Sequence, residues 1–450
     1  MRAPSLSSPD PRSRLVSDAM ISPPPMPLPL ERHTLANGLR VVLHRDPRLP
    51  LVAIDLWYHV GSKHDRPGRT GLAHLFEHLL FEGSAHVRPG DHFRLVQEAG
   101  GVANGSTWFD RTNYYETLPS HQLDLGLWLE SDRMGFTLPA IDRHKLDTQR
   151  QVVINERRQR IDNQPYGRAN ERLFELLYPE DHPYHWPVIG YVEDLEHITI
   201  DDVRTFFRTY YAPDNAVLTL AGDVDPEHAL ARVEHWFGEL PPGGGVPRPA
   251  VPPVPAAGER REVMVDRVRL PRVYMAFDAP PYGTDDWYAG DLWVAAMSEG
   301  KASVLHQDLV YRRQLAQEVA CYLFPTEETA MLLVLATARP DVEPQRLEDA
   351  VSEHLRRSAE EPLAEAQLER ALSRLLAAHY SELQTLGRRA DRLSWLTTFF
   401  DDPAALATVP ERYARLTAED VRAFVAAHCR PHRRVVLTVM PAAERSGSTP

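Results

Sequence analysis

Two histidines and a glutamate stand in the run Gly71-Leu72-Ala73-His74-Leu75-Phe76-Glu77-His78-Leu79-Leu80-Phe81-Glu82-Gly83. His74 and His78 are four residues apart, a spacing that stacks two side chains on one face of an α-helix. Leu72, Leu75, Phe76, Leu79 and Leu80 give the rest of the helix an apolar surface, so it is expected to be buried. Two imidazoles on one face of such a helix can hold a divalent metal, and zinc favours nitrogen ligands. Glu77 sits beside that face, where it could take a proton from a water held there. The order His-x-x-Glu-His inverts the common zinc-protease pattern. Against this, the chain has 20 histidines, and a buried histidine is more often a hydrogen-bonded core residue than a ligand.

Two histidines do not complete a catalytic zinc site, which commonly adds a third protein ligand and keeps one position open. Glu156 is the candidate, 78 residues after His78, in Gln149-Arg150-Gln151-Val152-Val153-Ile154-Asn155-Glu156. Its segment reads as a long helix over 142–160 whose apolar patch, Val152, Val153 and Ile154, holds one face in the core. The residues alone leave a second reading open, a surface carboxylate beside Arg157 and Arg160.

The elements that must position these groups follow from pattern. Residues 35–44 read as strand, Asn-Gly turn, strand, and 51–59 as a further apolar strand. A short helix is expected at 91–98, paired strands at 102–107 and 113–118, and helices at 121–135, 168–177, 200–210 and 226–237. Residues 241–258, rich in proline and glycine, read as a linker between domains. Beyond it the same kinds of element recur up to a strand at 434–440. The resulting expectation is an α+β fold of two homologous domains, each a mostly antiparallel sheet covered by helices: 31–240 carrying the metal site and 259–441 metal-free. Residues 1–30 and 442–450 are expected to be tails, the first of them disordered.

An internal repeat supports this division. Ile198-Thr199-Ile200-Asp201-Asp202-Val203-Arg204-Thr205-Phe206 matches Leu416-Thr417-Ala418-Glu419-Asp420-Val421-Arg422-Ala423-Phe424 at an offset of 218 residues, which still holds from Pro213 to Pro431. A constant offset near half the chain indicates two related units. At that offset the positions of His74, Glu77, His78 and Glu156 are occupied by Leu292, Ala295, Ala296 and Arg374, so the second unit has no ligands of its own.

Bulk properties exclude some functions. A net charge of -13 argues against a nucleic-acid binder. No apolar run is long enough for a membrane span, so no membrane partner is expected. The two cysteines, Cys321 and Cys429, make neither a disulfide framework nor a cysteine-based zinc site. The N-terminus lacks an apolar export segment, so the chain as written reads as cytoplasmic; a mis-assigned start would leave a periplasmic destination open.

Gly71 to His78 with Phe81-Glu82-Gly83-Ser84, then Gly100-Gly101-Val102-Ala103-Asn104-Gly105-Ser106-Thr107, then Val152 to Glu156, resemble the pitrilysin/insulinase family of zinc metallopeptidases. The mitochondrial processing peptidase subunits belong to the same group, and the resemblance runs from about residue 31 to 441. It implies that His74, His78 and Glu156 are zinc ligands and that Glu77 is the general base. It implies that Asn104, at the end of an edge strand, hydrogen-bonds the backbone of a peptide substrate added to the sheet. In the family four such domains usually enclose a chamber. This chain has two, which implies a homodimer or a heterodimer with a zinc-less homologue. One position departs from the pattern: the family often has a second glutamate seven residues before the metal glutamate, and here that residue is Gln149, which can hydrogen-bond but carries no charge. The expected function is a zinc endopeptidase acting on short or unfolded peptides; the alternative is a non-catalytic or weakly active partner subunit.

Overall fold

The computed structural model describes residues 28–255 and 258–442. Most of the two expected tails, 1–30 and 442–450, and two residues of the expected linker lie outside the described residues. In the first half the strands are β1 (Leu30–Thr34), β2 (Arg40–Arg45), β3 (Leu51–Tyr58), β4 (Val102–Thr107), β5 (Thr112–Pro119) and β6 (Ala216–Gly222). The helices there are α1 (Leu72–Leu79), α2 (Asp91–Glu98), α3 (Leu123–Phe136), α4 (Arg143–Arg157), α5 (Ala169–Leu177), α6 (Val192–His197), α7 (Ile200–Tyr210) and α8 (Pro226–Phe237). The second half has β7 (Arg260–Asp266), β8 (Arg272–Ala279), β9 (Ala316–Leu323), β10 (Ala330–Ala338) and β11 (Val435–Pro441). Its helices are α9 (Asp285–Ser298), α10 (Pro344–Glu360), α11 (Glu365–Glu382), α12 (Leu386–Phe400), α13 (Val409–Ala414) and α14 (Ala418–His428).

The strand orders are β1-β2-β6-β3-β5-β4 and β7-β11-β8-β10-β9. Only β2–β6 and β7–β11 pair in parallel; the other neighbours are antiparallel. Each sheet thus repeats the other's path, with β1 added to the first. The repeat seen in the sequence is the α7–β6 and α14–β11 pair. Thr199 and Asp202 cap α7 reciprocally, and Thr417 and Asp420 do the same for α14, each pair satisfying two of the backbone N–H groups that a helix start leaves free.

The two halves exchange a helix. α12, from the second half, lies on β3 and β6 of the first sheet, where Leu393 and Leu396 pack with Val42, Trp57 and Val217. α5, from the first half, lies on β8 and β11, where Leu173, Phe174 and Leu177 pack with Tyr274, Val435 and Leu437. This explains why β3 is buried along nearly its whole length instead of alternating: helices cover both of its faces.

A buried lysine joins the halves between these helices. Lys63 Nζ lies 2.5 Å from Glu327, 3.1 Å from Asp110 and 3.3 Å from Glu328, and His59 Nε2 is 2.7 Å from Glu327. Burial alone would raise the Glu327 carboxyl, but His59 and Lys63 override it and hold it at about 2, against an ordinary 4.5. A depressed carboxyl contributes stability that is complete above its ordinary value and is lost as pH falls through the folded value. The urea midpoint is therefore expected to drop between pH 4.5 and pH 2, and Glu327→Gln is expected to flatten that slope. An equal slope in the variant would assign the acid sensitivity elsewhere.

Candidate active site

Helix α1 begins at Gly71, whose φ of 83° and close approach to the Ile189 carbonyl leave no room for a side chain. The Asp65 carboxylate, from the preceding loop, accepts from the backbone of Gly71 at 2.8 Å and Ala73 at 3.0 Å and so caps the helix from outside it. Leu72, Ala73, Leu75, Phe76 and Leu79 point into the core. His74, Glu77 and His78 take the remaining face.

Glu156 comes from the C-terminal turn of α4. That turn is fixed by Arg157, which is buried, pairs with Glu171 at 2.8 Å and donates to the Gly190 carbonyl at 2.9 Å. Val153 and Ile154 anchor the helix in the core, but Val152, expected in the same patch, is 41% exposed. With 100° per residue, three consecutive side chains cannot all face one way.

The structure brings His74, His78 and Glu156 together. Glu156 Oε2 is 3.2 Å from His78 Nε2 and 3.9 Å from His74 Nε2, and one ligand atom from each residue lies within 4.8 Å of the others. The imidazoles meet nearly edge to face, with centroids 4.9 Å apart. The other Glu156 oxygen takes a 2.6 Å ion pair from Arg160, while Arg157 turns away to Glu171. Burial, then the neighbouring His78, push His74 down to about 4 despite Glu156, so His74 is neutral at pH 7. The Glu156 carboxyl is lowered, first by its hydrogen bond with His78. Two neutral-capable imidazole nitrogens and an ionised carboxylate converging on one point are the donor set that suits a zinc ion. His74 Nδ1 is buried with no hydrogen-bond partner among the described residues.

Glu77 lies alongside. The Thr107 hydroxyl on β4 donates to its Oε2 at 2.5 Å. Burial raises its pKa, a shift that Thr107 and His78 oppose. A raised carboxyl is better matched to accepting a proton near neutral pH.

The two other expected site residues stand apart from this cluster. Asn104 lies in β4, which is an edge strand. Its side chain is exposed, and its Oδ1 accepts from the backbone of Gly105 at 2.9 Å. Gly105 and Thr107 face Glu77, so by strand alternation Asn104 faces the opposite side of the sheet. Gln149 donates to Glu82 Oε1 at 2.6 Å, and Lys145 Nζ donates to the Glu82 carbonyl at 2.8 Å; both tie down the loop that leaves α1. At the second-half equivalents of His74, Glu77 and His78, the side chains of Leu292, Ala295 and Ala296 are fully buried on α9.

Sequence reasoning missed Thr107 and Asp65, whose contacts with α1 are made through space. His92, to which the sequence assigned no role, is buried within α2, 4% exposed. His182 is fully buried against Tyr178, with ring centroids 4.5 Å apart.

Comparison with known proteins identifies the family. Residues 40–182 match the family described as insulinase (peptidase family M16), and residues 197–375 match the peptidase M16 inactive domain. Zinc protease PqqE of Helicobacter pylori is 30% identical over 359 residues, covering 79% of this chain and 80% of that protein. An uncharacterized zinc protease of Streptomyces coelicolor is 27% identical over 88% of this chain and 86% of that one. The crystal structure of a protease from Helicobacter pylori superposes with a TM-score of 0.87 at 27% identity, covering 92% of this chain and all of that chain. A putative M16-like peptidase from Alicyclobacillus acidocaldarius shares the fold, with a TM-score of 0.81 at 22% identity. From its two family matches and its Helicobacter relative, this chain belongs to the pitrilysin/insulinase (M16) family of peptidases.

Proposed function

We propose that the chain is a zinc-dependent endopeptidase that hydrolyses short or unfolded peptides. The observation that carries this reading is the meeting of His74, His78 and Glu156 from two helices, with Glu77 beside them. Zinc, bound by those three residues, would supply Lewis acidity for the scissile carbonyl and make the attacking water easier to deprotonate. Glu77 takes the proton from that water and passes it to the leaving amine. Thr107 holds Glu77 in place and so fixes the direction of the transfer. The free edge of β4 offers main-chain groups to an extended peptide, with Asn104 on the far face as a further polar contact. Only an extended segment can add to that edge, which favours short or unfolded substrates.

The names of the relatives support zinc as the metal. Pairing with a second two-unit chain, identical or zinc-less, is the assembly we propose around the site. Among the described residues no helix is long and apolar enough to cross a membrane.

Protein purified without chelator is expected to contain one zinc per chain and to cleave a quenched fluorogenic peptide. Glu156→Ala is expected to weaken zinc binding at least about 100-fold, the upper end of the cost of losing an outer-shell partner, read by equilibrium dialysis. Full zinc affinity in that variant would remove Glu156 from the site. The alternative, a weakly active partner subunit, is favoured by Gln149, an uncharged residue bound to Glu82. It requires that cleavage appear only after a second subunit is added.

A further inference from the structure

A buried polar cluster lies beneath the C-terminal end of α1. His92 on α2, Glu116 on β5, and Glu130 and Arg133 on α3 are each at most 4% exposed. His92 Nε2 stands 3.4 Å from Glu116 and 3.9 Å from Glu130. Arg133 Nη1 donates to both Glu130 oxygens, at 2.7 and 2.9 Å, and its Nη2 is 3.1 Å from each ring nitrogen of His92. Neither Glu116 oxygen has a hydrogen-bond donor among the described residues; beside the neutral His92 ring, the Glu130 carboxyl is its nearest acidic neighbour. Two acceptors side by side in a dry core are satisfied only by sharing a proton. Burial, the larger cause, and Arg133 keep His92 neutral. One shared proton then balances Arg133 against the carboxyl pair. A divalent ion in the same place would leave net positive charge out of water, so this cluster is built around the arginine, not a second metal.

Arg133 also reaches outward. Its Nε donates to the Leu80 carbonyl, the C-cap of α1, at 3.3 Å. Its guanidinium lies over the rings of Phe81, 4.6 Å from the centroid, and Tyr114, 4.3 Å away. Phe81 in turn abuts Gly105: a Cβ added there would stand 3.1 Å from the Phe81 ring and 3.3 Å from Glu77 Cγ. One guanidinium therefore spans the gap between the end of the helix that carries Glu77 and the β4–β5 pair.

We propose that Arg133 is a positioning residue: seated by His92, Glu116 and Glu130, it sets the distance between Glu77 and the edge strand along which a peptide would lie. The kinetic consequence rests on the peptidase reading, but the structural one does not. Glu156 sits on α4, and α4 also holds the loop after α1 through Lys145 and Gln149, so zinc binding is expected to survive when Arg133 changes.

Arg133→Lys keeps the charge and loses the planar fork. Its control is Arg434→Lys, a buried arginine of the second half, bound to Glu348 at 3.0 Å and Glu259 at 2.7 Å. Hydrogen exchange at the amides of Leu79 to Gly83 is expected to quicken about tenfold in Arg133→Lys and to stay unchanged in Arg434→Lys. Against a fluorogenic peptide, kcat is expected to fall roughly 10- to 100-fold in Arg133→Lys with KM and zinc content unchanged, while Arg434→Lys keeps its kcat. Should Arg133→Lys fail to fold, Phe81→Leu, which removes one face of the stack, is expected to give the same loss of kcat with zinc retained. Equal exchange at Leu79 to Gly83 in the two arginine variants, or an unaltered kcat in Arg133→Lys or Phe81→Leu, would overturn the proposal. A wild type that cleaves nothing would fail the peptidase reading alone, because the exchange comparison needs no substrate.

Discussion

Glu77→Gln is expected to slow peptide hydrolysis by about 10²- to 10⁴-fold, the range associated with loss of a positioned general base, while the protein keeps one zinc per chain. Glutamine has the shape of glutamate and can still accept the Thr107 hydroxyl, which donates to Glu77 at 2.5 Å. The substitution therefore leaves the packing against Gly105 in place and removes only the ability to take up a proton. Since Glu77 lies outside the His74, His78 and Glu156 group, the metal content should not change. Metal analysis and a progress curve on the same sample separate the outcomes. Undiminished cleavage would show that another group accepts the proton. Loss of zinc would show that the Glu77 charge is needed for binding and not for proton transfer.

The second large effect lies where the two halves meet. Lys63→Met is expected to destabilise the protein by roughly 3–5 kcal/mol, the cost of breaking a buried ion pair from one side. Methionine replaces the apolar stem of lysine but leaves Asp110 and Glu327 facing each other without the ammonium between them. Asp110 is 2% exposed and already accepts the Tyr184 hydroxyl at 2.6 Å and the Glu327 backbone at 3.1 Å, so it cannot turn to water. Against the total of about 5–15 kcal/mol typical of a folded domain, such a loss is severe. Urea unfolding measures it, and adding Glu327→Gln to Lys63→Met should restore part of the stability. A loss below about 1 kcal/mol, the range of exposed pairs, would mean that water reaches the cluster.

How legible the chain was depends on the distance over which each feature is written. The imidazole pair is legible because four residues on one helix fix its geometry. The helices over Ile200–Tyr210 and Pro226–Phe237 are legible because their caps, Thr199 and Asp225, lie beside them in sequence. Both sheets follow from alternating and continuous apolar runs, and their matching order follows from the repeat. Glu156 could be singled out by a long helix but tied to the histidines only by family resemblance, since nothing local distinguishes it from a solvated carboxylate. Asn104 shows the opposite limit: the edge strand could be anticipated, but which face of it the side chain takes depends on register with β5. Arg133 and Glu130 have the spacing of an ordinary helical ion pair. Only burial against His92, Glu116 and the end of α1 distinguishes them, and burial at that depth is a property of the assembled core.

The exchanged helices also bear on synthesis. When β6 has left the ribosome, every strand of the first sheet has been made, yet the side presenting Val42, Trp57 and Val217 stays bare until Leu386–Phe400 follows. At the usual pace of translation that interval lasts on the order of ten to thirty seconds. A nascent chain with so much sticky surface is a natural client for a chaperone, and a product truncated before α12 should aggregate even though His74, His78 and Glu156 are all present.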